Sequence, residues 1–170
     1  MTRIAIEQLL TLVNQAFESD GPHSILGNVA ELDAKDWDWR PAGADRTIRE
    51  IFEHVAIAKH LFAEHLFGEA KRSYRDAHHD SPLRARPDDT AALIDWARDG
   101  HAQFVAGLQS LEDADLDAST RKHHGAVDTK AAVIGVMVQH DCYHAGEINH
   151  LRALRHADDA WEPELMQEPS

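Results

Sequence analysis

Two histidines four residues apart, His140 and His144, give this chain its sharpest chemical signal. On a helix such a pair projects from one face a turn apart, so both imidazoles can reach a common ion. At about 100° per residue the inward stripe reads Val133, Val136, Met137, His140, His144, Glu147 and Leu151. Both histidines then replace apolar residues on a core face. Two uncharged imidazoles without partners are costly there, and a shared cation removes the cost. The spacing alone also occurs on solvated helix faces, where it binds nothing. Glu147 on the same stripe reads three ways at a site: fourth ligand, outer hydrogen-bond partner of a ligand, or general base. Away from a site it would pair with an arginine of a neighbouring helix.

A third nitrogen must come from another helix. His54 lies on a stripe with Thr47, Ile51, Ala58, Leu61 and His65. His65 is eleven residues further on, roughly 16 Å along the axis. Ligand bonds near about 2.1 Å cannot join both to one ion, and spacing does not choose between them. His60 points about 120° away from His54 and reads as a surface residue. Tyr143, about 60° from His140, reads as pocket rim or as a packed tyrosine. Cys142 faces the opposite side and reads as structural. Asp141 also faces away and reads as a capping or surface charge. His78-His79 and His123-His124 read as loop pairs.

The elements that must carry these residues are helical throughout. Ile6, Leu9, Leu10, Val13, Ala16 and Phe17 predict a helix over 3–18, stopped by Ser19-Asp20-Gly21-Pro22. Ser24 caps a short segment to about Leu32. The stretch 33–46, with Trp37, Trp39 and Pro41, reads as a polar turn region. Thr47 with Glu50 forms a capping-box pattern that opens a helix from about 48 to 67 or beyond. Residues 70–88 read as a loop, and Asp88, Asp89 and Thr90 start a helix to about Leu111, with Leu93, Ile94, Trp96, Ala97, Phe104 and Leu108 for the core. A connection over 112–128 leads to a last helix over 129–156. No alternating strand pattern of useful length is present. The expectation is an all-α, antiparallel four-helix bundle over 1–156, followed by a loose acidic tail over 157–170.

The 170 residues suffice for one domain with a real core. Seventeen Lys plus Arg against 30 Asp plus Glu give a net charge of −13, which repels phosphate backbones and anionic membrane surfaces. Nucleic acid and membrane are therefore not expected partners. The N-terminus lacks the apolar core of a signal peptide, and Cys142 is the single cysteine, so the expected location is the cytoplasm.

Several segments carry a family resemblance. They are Gly21-Pro-His-Ser-Ile-Leu, Trp39-Arg-Pro, Thr47-Ile-Arg-Glu-Ile-Phe-Glu-His54-Val-Ala and His140-Asp-Cys-Tyr-His144-Ala-Gly-Glu-Ile-Asn-His-Leu-Arg152. In this order, over about residues 4–156, they resemble the DinB/YfiT-like superfamily. The closing segment resembles the pattern H-D-x-Y-H-x-G-Q-I-x-x-L-R. The resemblance implies the family's bundle topology and a divalent metal held by His54, His140 and His144. Glu147 stands where the family often has Gln. Ala58 stands where it often has Trp, which implies a roomier or differently shaped pocket.

Three neutral imidazoles leave an ion its charge and one to three open positions, the arrangement of catalytic rather than structural zinc sites. Nitrogen donors suit zinc or nickel first. The resemblance implies a metal-dependent enzyme that uses a low-molecular-weight thiol on a small-molecule substrate, since relatives include bacillithiol-dependent S-transferases and a mycothiol-dependent maleylpyruvate isomerase. It also implies a homodimer. The alternatives are a metal-dependent hydrolase and a non-catalytic metal or small-ligand binding protein linked to stress.

Overall fold

The structure is a computed structural model and describes residues 3–19, 21–43 and 46–157. The expected tail over 157–170 lies outside the described residues except for Ala157. Helix α1 (Ile4–Glu18) buries Ile6, Val13, Ala16 and Phe17 at helical spacing. Helix α2 (Ile25–Val29) starts at Ser24, whose hydroxyl accepts the Gly27 N–H at 2.9 Å. The stretch read as a polar turn contains a further helical turn, α3 (Ala34–Trp37), closed by an Asp33–Asp36 capping box. Its Trp37 is buried edge-on against Phe52, so it anchors the core.

Helix α4 (Ile48–Phe67) opens on the expected capping box: Thr47 accepts from Glu50 N–H at 3.2 Å, and Glu50 accepts from Thr47 N–H at 2.7 Å. The segment 70–88 is not a plain loop. It holds α5 (Tyr74–His79), opened by a Ser73–Asp76 capping box, and a 3-10 turn at Pro82–Arg84. Helix α6 (Thr90–Gln109) is capped by Asp89. The segment 112–128 also departs from expectation. A short antiparallel hairpin, β1 (Ser119–Arg121) and β2 (Val127–Thr129), pairs Ser119 with Thr129 and Arg121 with Val127. Three-residue strands carry too little alternation to be read from sequence. Helix α7 (Lys130–His156) then runs from its Thr129 cap.

Helix α4 packs along both α6 and α7, and α1 packs along the same two. The α4–α6 contact is close because α6 presents glycines to it. A Cβ at Gly107 would fall 2.2 Å from the Phe67 ring, and one at Gly100 would fall 2.9 Å from the His60 ring. His60 is thus buried rather than superficial. It stacks on Trp96 at 4.6 Å between centroids and bonds the Trp96 carbonyl at 2.9 Å. Among the described residues no helix is long and apolar enough to cross a membrane.

The apolar interior falls into two main clusters. One centres on Phe17, Ile25, Trp37, Phe52 and Ile148, the other on Val13, Phe62, Phe104, Leu108 and Met137. Between them lies a polar layer to which each long helix gives one side chain: Asn14, Lys59, His101 and Asp141. Asn14 Oδ1 accepts from His101 Nε2 at 3.0 Å. Lys59 and Asp141 form a fully buried ion pair. The Lys59 ammonium also lies over the Phe17 ring, 4.6 Å from its centroid, and His101 stacks on that same ring. Asp141 is therefore no surface charge. The deepest line of α7 runs through Ile134, Met137, Asp141, Ala145 and Ile148, while Val136 is 38% exposed. The inward face is rotated from the one centred on the histidines, because Lys59 reaches across from α4 and makes an aspartate tolerable at the centre.

Candidate metal centre

The rotation of α7 leaves His140 and His144 on the flank that faces α4. There they meet His54, and the three rings offer nitrogens that all lie within 4.8 Å of one another. Ring centroids are 5.1 Å apart for His54 and His140, 4.9 Å for His54 and His144, and 4.4 Å for His140 and His144. His65 does not join them. It is buried further along α4, with its ring nitrogens facing the backbone carbonyls of Arg72 at 2.7 Å and Arg121 at 3.2 Å. It ties α4 to the hairpin.

Each ring has an inner and an outer nitrogen. Nε2 of His54 and Nε2 of His140 face each other at 3.0 Å. The outer Nδ1 of His54 lies 3.0 Å from the Tyr74 hydroxyl. The outer Nδ1 of His144 lies 2.5 Å from Glu147 Oε2, which leaves its Nε2 for the centre. Glu147 is fixed in turn by Arg46, whose Nη2 donates to Oε1 at 2.9 Å and lies 3.3 Å from Oε2. Glu147 thus does two of the things its position allowed: it partners a histidine and it pairs with an arginine. The outer Nδ1 of His140 is buried and has no hydrogen-bond partner among the described residues.

The electrostatics disfavour protonation of His54 and His144. Burial, then the neighbouring imidazoles and Arg46, push His54 down to about 4. Burial and His140 also lower His144, against the opposing pull of Glu147. Near neutral pH the inner lone pair of His54 is available. Three imidazole nitrogen donors, two with oriented outer nitrogens, fit a divalent metal ion.

Tyr143 is 63% exposed, with its ring 4.9 Å from that of His144. It is neither packed nor buried. Cys142 lines an apolar groove of about 410 Å³ with Leu12, Ala16 and Val138, away from the three rings. Burial and the Asp141 charge push its thiol up, which weakens it as a nucleophile.

Tyr74, Arg46 and the Lys59–Asp141 pair are site neighbours that spacing arguments did not reach. Ser73-Tyr-Arg-Asp76 is a capping-box pattern, and it was the available signal that Tyr74 sits in a first helical turn. Arg46 directly precedes the Thr47 cap, so a fixed α4 start also fixes the base of Arg46.

No curated protein matches the chain. The family model of the DinB superfamily matches residues 20–148, well over half of the 170 residues, and the match includes all three converging histidines and Glu147. This chain belongs to the DinB superfamily.

Proposed function

We propose that the protein binds one divalent metal ion through His54, His140 and His144, inside an antiparallel four-helix bundle of α1, α4, α6 and α7. The observation that carries this reading is the convergence of three imidazole nitrogens within 4.8 Å. An ion held there would supply Lewis-acid charge and keep a thiol or a water deprotonated near neutral pH.

The finer reading is an enzyme that joins a low-molecular-weight thiol to an electrophilic small molecule: a carbon–sulfur bond forms and the leaving group departs with its electron pair. The resemblance to thiol-using relatives suggests it, and the state of Glu147 argues against the hydrolytic alternative. Both oxygens of that carboxylate are engaged by Arg46 and His144. Glu147 therefore orients His144, and it is poorly placed to collect a proton as hydrolysis with Glu147 as base would require. Tyr74 and Glu147 turn the inner nitrogens of their histidines toward the centre, and α4 and α7 bring the rings together.

Metal analysis of untagged protein tests the reading. About one zinc or nickel per chain is expected, lost in His54→Ala and in His140→Ala. Wild-type protein without bound metal, or variants that retain it, would overturn it. Conjugation assays with bacillithiol, mycothiol and glutathione test the finer reading, which fails if no thiol gives a metal-dependent rate. Activity without any thiol that falls in Glu147→Gln would favour the hydrolase instead.

A further inference from the structure

His140 is the odd member of the triad. His54 and His144 each have a partner on the outer nitrogen, but Nδ1 of His140 is buried without a hydrogen bond among the described residues. A second buried atom shares that condition: Oδ1 of Asp141. The two lie 3.8 Å apart. That is too long for a hydrogen bond, yet a small rotation of the ring closes it. The other oxygen of Asp141 is held by the Lys59 ammonium, and both side chains are essentially inaccessible. The carboxylate is thus pinned at one oxygen and open at the other, and the open oxygen lies near the one outer nitrogen of the triad without a partner among the described residues. A buried donor and a buried acceptor left apart would each carry a desolvation cost, so their pairing is favoured on both sides.

The proton arrangement agrees. With Nδ1–H on His140, its Nε2 can accept from Nε2–H of His54 across the 3.0 Å contact, and Nδ1 of His54 can then accept from the Tyr74 hydroxyl. Burial raises the Tyr74 phenol, which keeps it a donor. With the proton on Nε2 of His140 instead, Nδ1 would be a bare lone pair beside a carboxylate.

We propose that Asp141, held by Lys59, is the positioning residue of His140: its free oxygen takes the Nδ1 proton and thereby presents the Nε2 lone pair to the centre. The consequence for metal binding rests on the metal reading above, but the consequence for the ring does not. Carboxylate partners of this kind commonly govern metal affinity by about 10–100-fold.

Two measurements test it. Long-range ¹H–¹⁵N correlation spectra of metal-free wild-type protein report the tautomer of His140, and Nδ1–H is expected. A wild-type ring found as Nε2–H overturns the proposal, whether or not any variant folds. The double change Lys59→Met with Asp141→Leu removes both charges without stranding either, and should shift the ring toward Nε2–H. In chelator competition with Zn²⁺, the same variant should bind about 10–100-fold more weakly than wild type. A folded double variant with an unchanged tautomer, or with unchanged affinity where the wild type does bind zinc, also overturns it. Wild-type protein that ignores zinc yet shows the Nδ1–H ring, lost in the variant, would sink the metal reading and leave this one standing.

Discussion

At Tyr74 a single hydroxyl decides how His54 is turned. It lies 3.0 Å from Nδ1, and nothing else described reaches that nitrogen. Tyr74→Phe removes the partner and keeps the ring's bulk, so zinc affinity should fall by about tenfold or more while the melting temperature changes little. Chelator competition beside a thermal melt reads both. His101 makes a different prediction. Burial first, and the Lys59 charge second, push it down to about 3 against an ordinary 6.5. The folded state disfavours its protonation, so the stability tied to His101 is complete above about pH 6.5 and is lost as pH falls from there toward 3. Each unit of difference is worth about 1.4 kcal/mol, so the slope is large enough to measure. Urea titrations across pH 4–7 should show it, and His101→Phe should flatten it. The His140–His144 pair was legible because its residue type is chemically conspicuous and both share a helix, whereas spacing left His54 and His65 open and only the family resemblance chose His54. Asp141 was misread because its burial depends on Lys59, 82 positions away, and no spacing rule reports a partner at that distance.

Among the elements, α6 owes its closeness to α4 to two glycines. At Gly107 an added methyl would meet the Phe67 ring at 2.2 Å, whereas nothing lies within 4 Å of a Cβ built on Gly135 of α7. Gly→Ala at either site gains helix propensity of about 1 kcal/mol. Gly135→Ala should keep that gain. Gly107→Ala should lose it and more, since overpacking costs about 1–3 kcal/mol. Opposite shifts in urea midpoint would check the pair. The long helices were readable because their caps are written locally, in Thr47 with Glu50, in Asp89 and in Thr129. Helix α5 and the hairpin were not. They are too short to show a period, and their place depends on contacts such as the Thr120 hydroxyl on the His65 carbonyl at 3.2 Å.

For the molecule as a whole, the layer of Asn14, Lys59, His101 and Asp141 matters most. Lys59→Met alone strands a buried carboxylate and should cost about 3–5 kcal/mol, while the double change with Asp141→Leu should be close to neutral or stabilising. Equilibrium unfolding in urea separates these outcomes. The layer also works as a latch on sliding. A purely apolar seam between α4 and α7 would tolerate a slip of one turn, about 5.4 Å, with much of its burial intact. Such a slip would tear Lys59 from Asp141, and it would also carry His54 out of reach of the two rings on α7. Anyone who greases this interior for heat resistance should therefore expect a tougher scaffold whose three imidazoles no longer keep their appointment.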